Sequence, residues 1–108
     1  MVVSRPLPKA LLKKMFLKVL HEHKRPGGAY ARCGWDFTGI VRPKICEYFE
    51  IPPLTKDEYS EGLRAVYELE RDGYIMQDAT QSSDSFKVLT EKGRIVAERS
   101  LDEMNLPS

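Results

Sequence analysis

The sequence predicts a mostly helical α+β domain, in which a three-helix nucleus is completed by a two-stranded β-hairpin and followed by a C-terminal helix. The 108 residues are the length of one domain, and a hydrophobic share of 42% is enough for one compact core. A helix with clear start and stop signals spans about 56–72, and two β-rich segments follow it at once. Three short helices cannot close a core alone, so the hairpin is expected to cover one side of them. The whole chain, residues 1–108, is therefore expected to form a single domain.

The first predicted helix spans about 8–22, within PKALLKKMFLKVLHEH. Pro8 suits the first helical position, because the N–H that proline lacks would have no intrahelical partner there. Apolar residues recur at helical spacing and predict one buried stripe that contains Leu12, Met15, Phe16 and Val19. The lysines are expected on the opposite side of the helix, exposed to solvent: Lys9, Lys13, Lys14 and Lys18.

The segment from 25 to 41 is the hardest part of the sequence to interpret. Its start, Arg25-Pro26-Gly27-Gly28, breaks the first helix, and a short strand is predicted within 35–41. Whether the aromatic residues of this segment pack under the first helix or form an interface stays open. A short helix is predicted over about 43–50, because Pro43 is tolerated only in a first turn and two prolines follow Ile51.

The helix over about 56–72 has the clearest boundaries. Thr55 and Glu58 have the T-x-x-E form of a capping box, in which each side chain accepts a hydrogen bond from the other residue's backbone N–H. Gly73 is expected to end the helix in the left-handed conformation. The apolar spacing predicts an inner face made of Tyr59, Leu63, Val66 and Leu69.

The two β-rich segments, YIMQDA and SFKVL, predict an antiparallel hairpin over about 74–89. The sequence TQSSD between them has the polarity and length of a hairpin loop. Thr90 is then expected to cap a C-terminal helix over about 91–104.

This order of elements resembles a winged helix-turn-helix domain, and residues 43–94 carry the resemblance most clearly. LRAVYELERDGYI is similar to the end of a recognition helix that enters the wing in transcriptional regulators of the MarR and PadR kind. KVLTEKGRIVAE is similar to the LTxKGR sequence with which those families leave the wing. The resemblance implies binding of double-stranded DNA, with helix 56–72 in the major groove and the hairpin 74–89 against the backbone or minor groove. It also implies a homodimer paired through the C-terminal helix.

Candidate DNA contacts follow from the resemblance, position by position. Three lie on the recognition-type helix, four on the hairpin and two at the start of the short helix, which would cross the DNA backbone. The candidates are Arg42, Lys44, Lys56, Ser60, Arg64, Gln81, Ser82, Ser83 and Lys87.

Acidic residues favour an alternative function. Asp57, Glu58 and Glu61 crowd the end of helix 56–72 that would approach phosphates, and an uncompensated acid weakens binding to a polyanion. The net charge is +6 over residues 1–50 but −5 over residues 51–108, so the net positive charge that could attract a polyanion lies in the first half of the chain. The alternative is a winged-helix module that binds another protein and has no DNA role.

Other function classes have little support in the sequence. Cys33, Cys46, His21 and His23 fit no compact metal-binding spacing, and no nucleophile, base or carboxylate pair forms a recognisable catalytic frame. We therefore predict no metal, no cofactor and no enzymatic activity. No apolar run approaches the roughly 18 residues that a membrane span needs, and no apolar signal core precedes the first prolines. These features predict a cytoplasmic protein.

Overall fold

The structure, a computed structural model, describes residues 5–22, 35–36, 42–77 and 86–107. These residues form four α-helices, a three-stranded antiparallel sheet and one 3₁₀ turn. In chain order the elements are α1 (Lys9–Glu22), β1 (Trp35–Asp36), α2 (Arg42–Phe49), α3 (Lys56–Arg71), β2 (Ile75–Gln77), β3 (Phe86–Leu89), α4 (Glu91–Ala97) and the 3₁₀ turn (Leu101–Glu103). The predicted mostly helical α+β class is confirmed.

Helix α1 is the centre of the domain and contacts α2, α3, α4 and β3. Its predicted apolar stripe is buried, together with Leu17. The prediction that its lysines are exposed is wrong for two of them, because Lys13 is 1% exposed and Lys18 is 9% exposed. Elements packed on several sides of α1 cover both side chains, and each buried ammonium group finds oxygen partners there.

The partners of these two lysines connect α1 to distant parts of the chain. Lys13 Nζ lies 2.6 Å from Glu68 Oε1 on α3 and donates to the carbonyl of Pro107 at 3.1 Å. Lys18 Nζ donates to the carbonyls of Ala97 at 2.8 Å and Arg99 at 2.6 Å. Carbonyls at the end of a helix lack intrahelical donors, so Lys18 satisfies groups that would otherwise be orphaned.

Helix α4 begins as predicted but is shorter than predicted. Thr90 accepts a hydrogen bond from the backbone N–H of Gly93 at 3.1 Å, so the predicted cap is confirmed. The prediction of one helix up to 104 is wrong, because Ser100 has an extended backbone (ψ 161°) that separates α4 from the 3₁₀ turn. The carbonyls that Lys18 binds mark this early end of α4.

Both predicted ends of α3 are confirmed. Thr55 Oγ1 accepts from the Glu58 N–H at 3.2 Å, and Glu58 Oε1 accepts from the Thr55 N–H at 2.9 Å, which completes the capping box. At the other end Gly73 has φ +83°, and the N–H of Tyr74 donates to the carbonyl of Leu69 at 2.9 Å. This Schellman geometry turns the chain directly from α3 into β2.

The predicted inner face of α3 needs one correction. Leu69 is buried, and Tyr59 and Val66 pack against the core, but Leu63 is exposed. The innermost positions are instead Glu58, Gly62, Ala65 and Leu69. Small side chains at two of these positions let α3 lie close to α1, and this rotates Leu63 towards solvent.

The sheet has the order β1-β3-β2, with both pairs antiparallel. Ile75 pairs with Leu89 and Gln77 with Lys87, so the two strands of the predicted hairpin are confirmed. The strand predicted within 35–41 is confirmed at β1, which pairs with the other edge of β3. Residues 78–85, 37–41 and 23–34 lie outside the described residues.

The start of α4 is joined to the end of α3. Thr90 donates through its hydroxyl to the carbonyl of Gly73 at 2.6 Å, and Lys92 Nζ donates to the carbonyl of Asp72 at 2.8 Å. A Cβ atom on Gly93 would lie 1.9 Å from the carbonyl oxygen of Tyr74, so only glycine fits here without a shift. The TEKG sequence, residues 90–93, thus fixes the chain that leaves β3 against the end of α3.

Candidate nucleic-acid interface on α3

One side of α3 faces solvent along the whole length of the helix. We call this side the outward face of α3; its exposed residues are Lys56, Asp57, Ser60, Leu63, Arg64, Tyr67 and Arg71. It lies opposite the buried positions that contact the core. The structure brings three predicted DNA contacts together here, because Lys56, Ser60 and Arg64 follow one another at intervals of four residues.

Arg64 is a highly accessible cation on the outward face. Its side chain is 72% exposed, and one of its terminal nitrogens donates to Glu61 Oε1 at 3.2 Å. A guanidinium group has five N–H donors, so this single bond leaves most of them available. No ion pair joins Lys56 to any residue in the described part of the chain.

Arg71, at the C-terminal end of the outward face, is paired more fully. Its Nε donates to Asp72 Oδ1 at 3.0 Å and a terminal nitrogen donates to Asp72 Oδ2 at 3.1 Å. This bidentate hydrogen bonding lowers the pKa of Asp72 and raises the pKa of Arg71, so both groups stay charged at neutral pH. The pair presents a dipole to solvent, with less net positive charge than Arg64.

The middle of the outward face is apolar. Leu63 is 44% exposed and Tyr67 is 69% exposed, and the two side chains lie one helical turn apart. Sequence reasoning assigned Leu63 to the core and gave Tyr67 no role. The signal that was missed is the pair of small residues Gly62 and Ala65, which lie on the buried side of α3.

Glu58, at the N-terminal end of α3, does not contribute a surface charge. Its carboxylate is buried and accepts hydrogen bonds from Arg5 Nε at 2.7 Å, the Leu7 N–H at 2.7 Å and the Thr55 N–H at 2.9 Å. Burial raises the pKa of Glu58, but the hydrogen bonds, led by that of Arg5, outweigh burial and lower the pKa to about 2. Of the three acids predicted to crowd this end, Asp57 and Glu61 are the ones that reach solvent.

The N-terminal segment is held against the start of α3 by Arg5. Besides Glu58, the Arg5 guanidinium donates to the carbonyls of Pro52 at 3.2 Å and Pro53 at 3.0 Å, between α2 and α3. A groove of about 350 Å³ lies between this segment and α3. Its lining residues are Pro6, Leu7, Pro8, Lys9, Asp57, Glu58 and Glu61.

The remaining predicted contacts are less well placed or lie outside the described residues. Lys44 Nζ on α2 lies 3.2 Å from Glu47 Oε2, at the surface. Lys87 is mostly buried, and its ammonium lies 2.9 Å from Glu70 Oε1 on α3. Its charge is therefore directed towards α3 and not towards solvent. Helix α2 begins at Arg42. The predicted contacts Gln81, Ser82 and Ser83 are not among the described residues.

Within the described residues, no three His, Cys, Asp or Glu side chains form a group that could hold a metal ion. In that same part of the chain, no helix is both long enough and apolar enough to cross a lipid bilayer. Comparison of the chain with protein-family models, with characterised proteins and with solved structures gives no significant match.

Proposed function

We propose that this chain is a winged-helix DNA-binding protein, a cytoplasmic transcriptional regulator that contacts duplex DNA through the outward face of α3. The main observation that supports this proposal is that the outward face is exposed along four turns of the helix and holds Lys56, Ser60 and Arg64 in one row. The direct turn from α3 into an antiparallel strand pair, followed by α4, supports the arrangement. In it, α3 is the recognition helix and β2–β3 is the base of the wing.

The residue types on this face suit the chemistry of the major groove. Arg64 retains donors for the O6 and N7 acceptors of guanine, and Lys56 can bind a phosphate or a guanine at the leading end of the helix. Ser60 hydrogen-bonds to either base edges or phosphates. Glu61 holds Arg64 in place and is itself an acceptor for the amino group of cytosine.

Titration of a duplex with the protein tests this proposal. Affinity for mixed-sequence duplex DNA is expected to fall steeply between about 50 and 200 mM salt, because phosphate contacts release counterions. Arg64→Ala is expected to weaken binding about 5- to 150-fold if Arg64 contacts a base. Fluorescence anisotropy of a labelled duplex measures both effects and gives the number of protomers bound, for which we expect two.

Arg94→Ala is the matched control for this titration. Arg94 is a half-exposed arginine on α4 that is also paired with acids on its own helix, Glu91 and Glu98. At a protein concentration at which the variant is still dimeric, its removal is expected to leave DNA affinity almost unchanged. Absence of binding even at the lowest salt concentration would reject the proposal, and an Arg64→Ala effect no larger than that of Arg94→Ala would reject the assigned face.

A second candidate function is a winged-helix module that binds another protein. The observation that favours it is the exposed pair Leu63 and Tyr67 on the outward face, since tyrosine and apolar side chains are enriched where protein surfaces meet. Asp57 and Glu61 at the leading end of α3 also suit a partner other than DNA. The salt titration separates the two candidates, because a protein-binding module has no affinity for duplex DNA at low salt.

A further inference from the structure

The exposed apolar pair on α3 suits a partner surface that is itself apolar. Leu63 and Tyr67 project from the same side of the helix as Ser60 and Arg64, at the centre of the outward face. Four residues separate them, which is a rise of about 6 Å along the helix. Leu63 is 44% exposed and Tyr67 is 69% exposed, whereas Leu69 and Ala65 on the other side of the same helix are buried.

The major groove of DNA offers one apolar group on its base edges, the C5-methyl group of thymine. The other groups that the four bases present there are mainly hydrogen-bond donors and acceptors. A rise of about 6 Å is close to the length of two base-pair steps, at roughly 3.4 Å each. An apolar pair one turn apart is therefore spaced to meet methyl groups on base pairs that lie two steps apart.

We propose that Leu63 and Tyr67 recognise thymine methyl groups, so that α3 selects sites with thymines two base-pair steps apart. This inference rests on the proposed function, since it places the outward face of α3 in the major groove. It assigns specificity to two residues that sequence patterns did not mark as DNA contacts.

The charges around the apolar pair suit a duplex better than an uncharged partner. Lys56 lies towards the N-terminal end of the face, Arg64 lies between Leu63 and Tyr67 along the chain, and Arg71 lies beyond them. Cations on both sides of an apolar centre match a groove whose floor carries methyl groups and whose walls carry phosphates. The acids near the face are Asp57 and Glu61 on the N-terminal side, where Glu61 is paired with Arg64, and Asp72 at the C-terminal end, where it is paired with Arg71.

The test compares two duplexes that differ only in the methyl groups. The best-binding duplex is selected from a random-sequence pool, and a second copy is made with deoxyuridine in place of every thymine. Each contacted methyl is expected to contribute about fourfold in affinity, so loss of two lowers binding roughly ten- to twentyfold. Leu63→Ala combined with Tyr67→Ala is expected to bind the two duplexes with nearly equal affinity.

Ile95→Ala is the control variant, because Ile95 is another half-exposed apolar residue but lies on α4. It is expected to keep the full preference for the thymine duplex, because the ratio of one variant's two affinities does not depend on how strongly α4 pairs two protomers. Equal binding of both duplexes by the unaltered protein would overturn this inference and leave the proposed function standing. A preference that survives in the double variant would overturn the assignment to Leu63 and Tyr67. No duplex binding at low salt would overturn the inference and the proposed function together, and would point to a protein partner.

Discussion

At the scale of single residues, buried charges connect segments that are far apart in the sequence. Glu58 joins the start of α3 to Arg5 and Leu7, and Glu68 receives both Lys9 and Lys13 from α1. The hydrogen bonds from Lys13 and Lys9 lower the pKa of Glu68 to about 2, so this carboxylate also stays ionised at neutral pH. Removing one partner of such a site leaves the others buried without compensation, which costs more than the pair contributes.

Glu58→Gln tests this idea through its pH dependence. The folded pKa of about 2 is below the ordinary value of 4.5, so the stabilising contribution is present above pH 4.5 and is lost as the pH falls towards 2. The substitution is expected to lower the free energy of unfolding by about 1–3 kcal/mol at pH 7. The difference between variant and unaltered protein should shrink at pH 3 and below in urea unfolding experiments.

Glu61→Gln is the control for Glu58→Gln, because Glu61 lies one turn further along α3 in a surface ion pair with Arg64. Its effect is expected to stay within about 0.5 kcal/mol at every pH. A Glu58→Gln effect as small as this, or one that is constant from pH 7 to pH 2.5, would show that the charge of Glu58 does not stabilise the fold.

At the scale of elements, the junction of α3, β2 and α4 depends on a close approach of backbones. The hydroxyl of Thr90 reaches the carbonyl of Gly73, and the N–H of Thr90 donates to the carbonyl of Tyr74 at 3.1 Å. Lys92 also lies over the Tyr74 ring, with its Nζ 4.4 Å from the ring centroid. The first turn of α4 is thus fixed against the chain that leaves α3, and this sets the position of the strand pair between them.

Gly93→Ala is expected to destabilise the domain, although alanine is the better helix former. The propensity difference alone would stabilise α4 by up to about 1 kcal/mol. The new Cβ would meet the Tyr74 carbonyl oxygen at 1.9 Å, and we expect the resulting displacement to cost about 1–3 kcal/mol. Thermal unfolding followed by circular dichroism shows whether Gly93→Ala lowers or raises the stability of the domain. A stabilised Gly93→Ala variant would contradict the close approach, while Ile95→Ala should change little.

Local signals explain why most element boundaries could be predicted. The start and end of α3 are specified by Thr55, Glu58 and Gly73, and the start of α4 by Thr90, all within a few residues of the boundary. The early end of α4 could not be predicted, because the donor that satisfies its last carbonyls is Lys18, on another helix. A sequence window of one helix does not contain that information.

At the scale of the whole molecule, the missed features share one cause. Periodicity treats a lysine as exposed, but α1 is surrounded by other elements, so Lys13 and Lys18 lie inside the domain. The same neighbours decide which side of α3 faces inward, and this is why Leu63 is exposed. For the candidate site, the resemblance pointed to Lys56, Ser60 and Arg64, which lie on one exposed face of α3. The apolar centre of that face depends on how α3 packs, which the sequence pattern did not predict.

The most direct test of the central proposal is a titration of ¹⁵N-labelled protein with duplex DNA, followed by amide chemical shifts at low salt. Binding through the outward face of α3 predicts the largest shift changes at Lys56, Ser60, Arg64 and Tyr67, with little change at Leu17 in the centre of α1. Shift changes confined to another surface, such as α4, would contradict the assignment of α3 as the recognition helix. No change at any amide would contradict DNA binding itself.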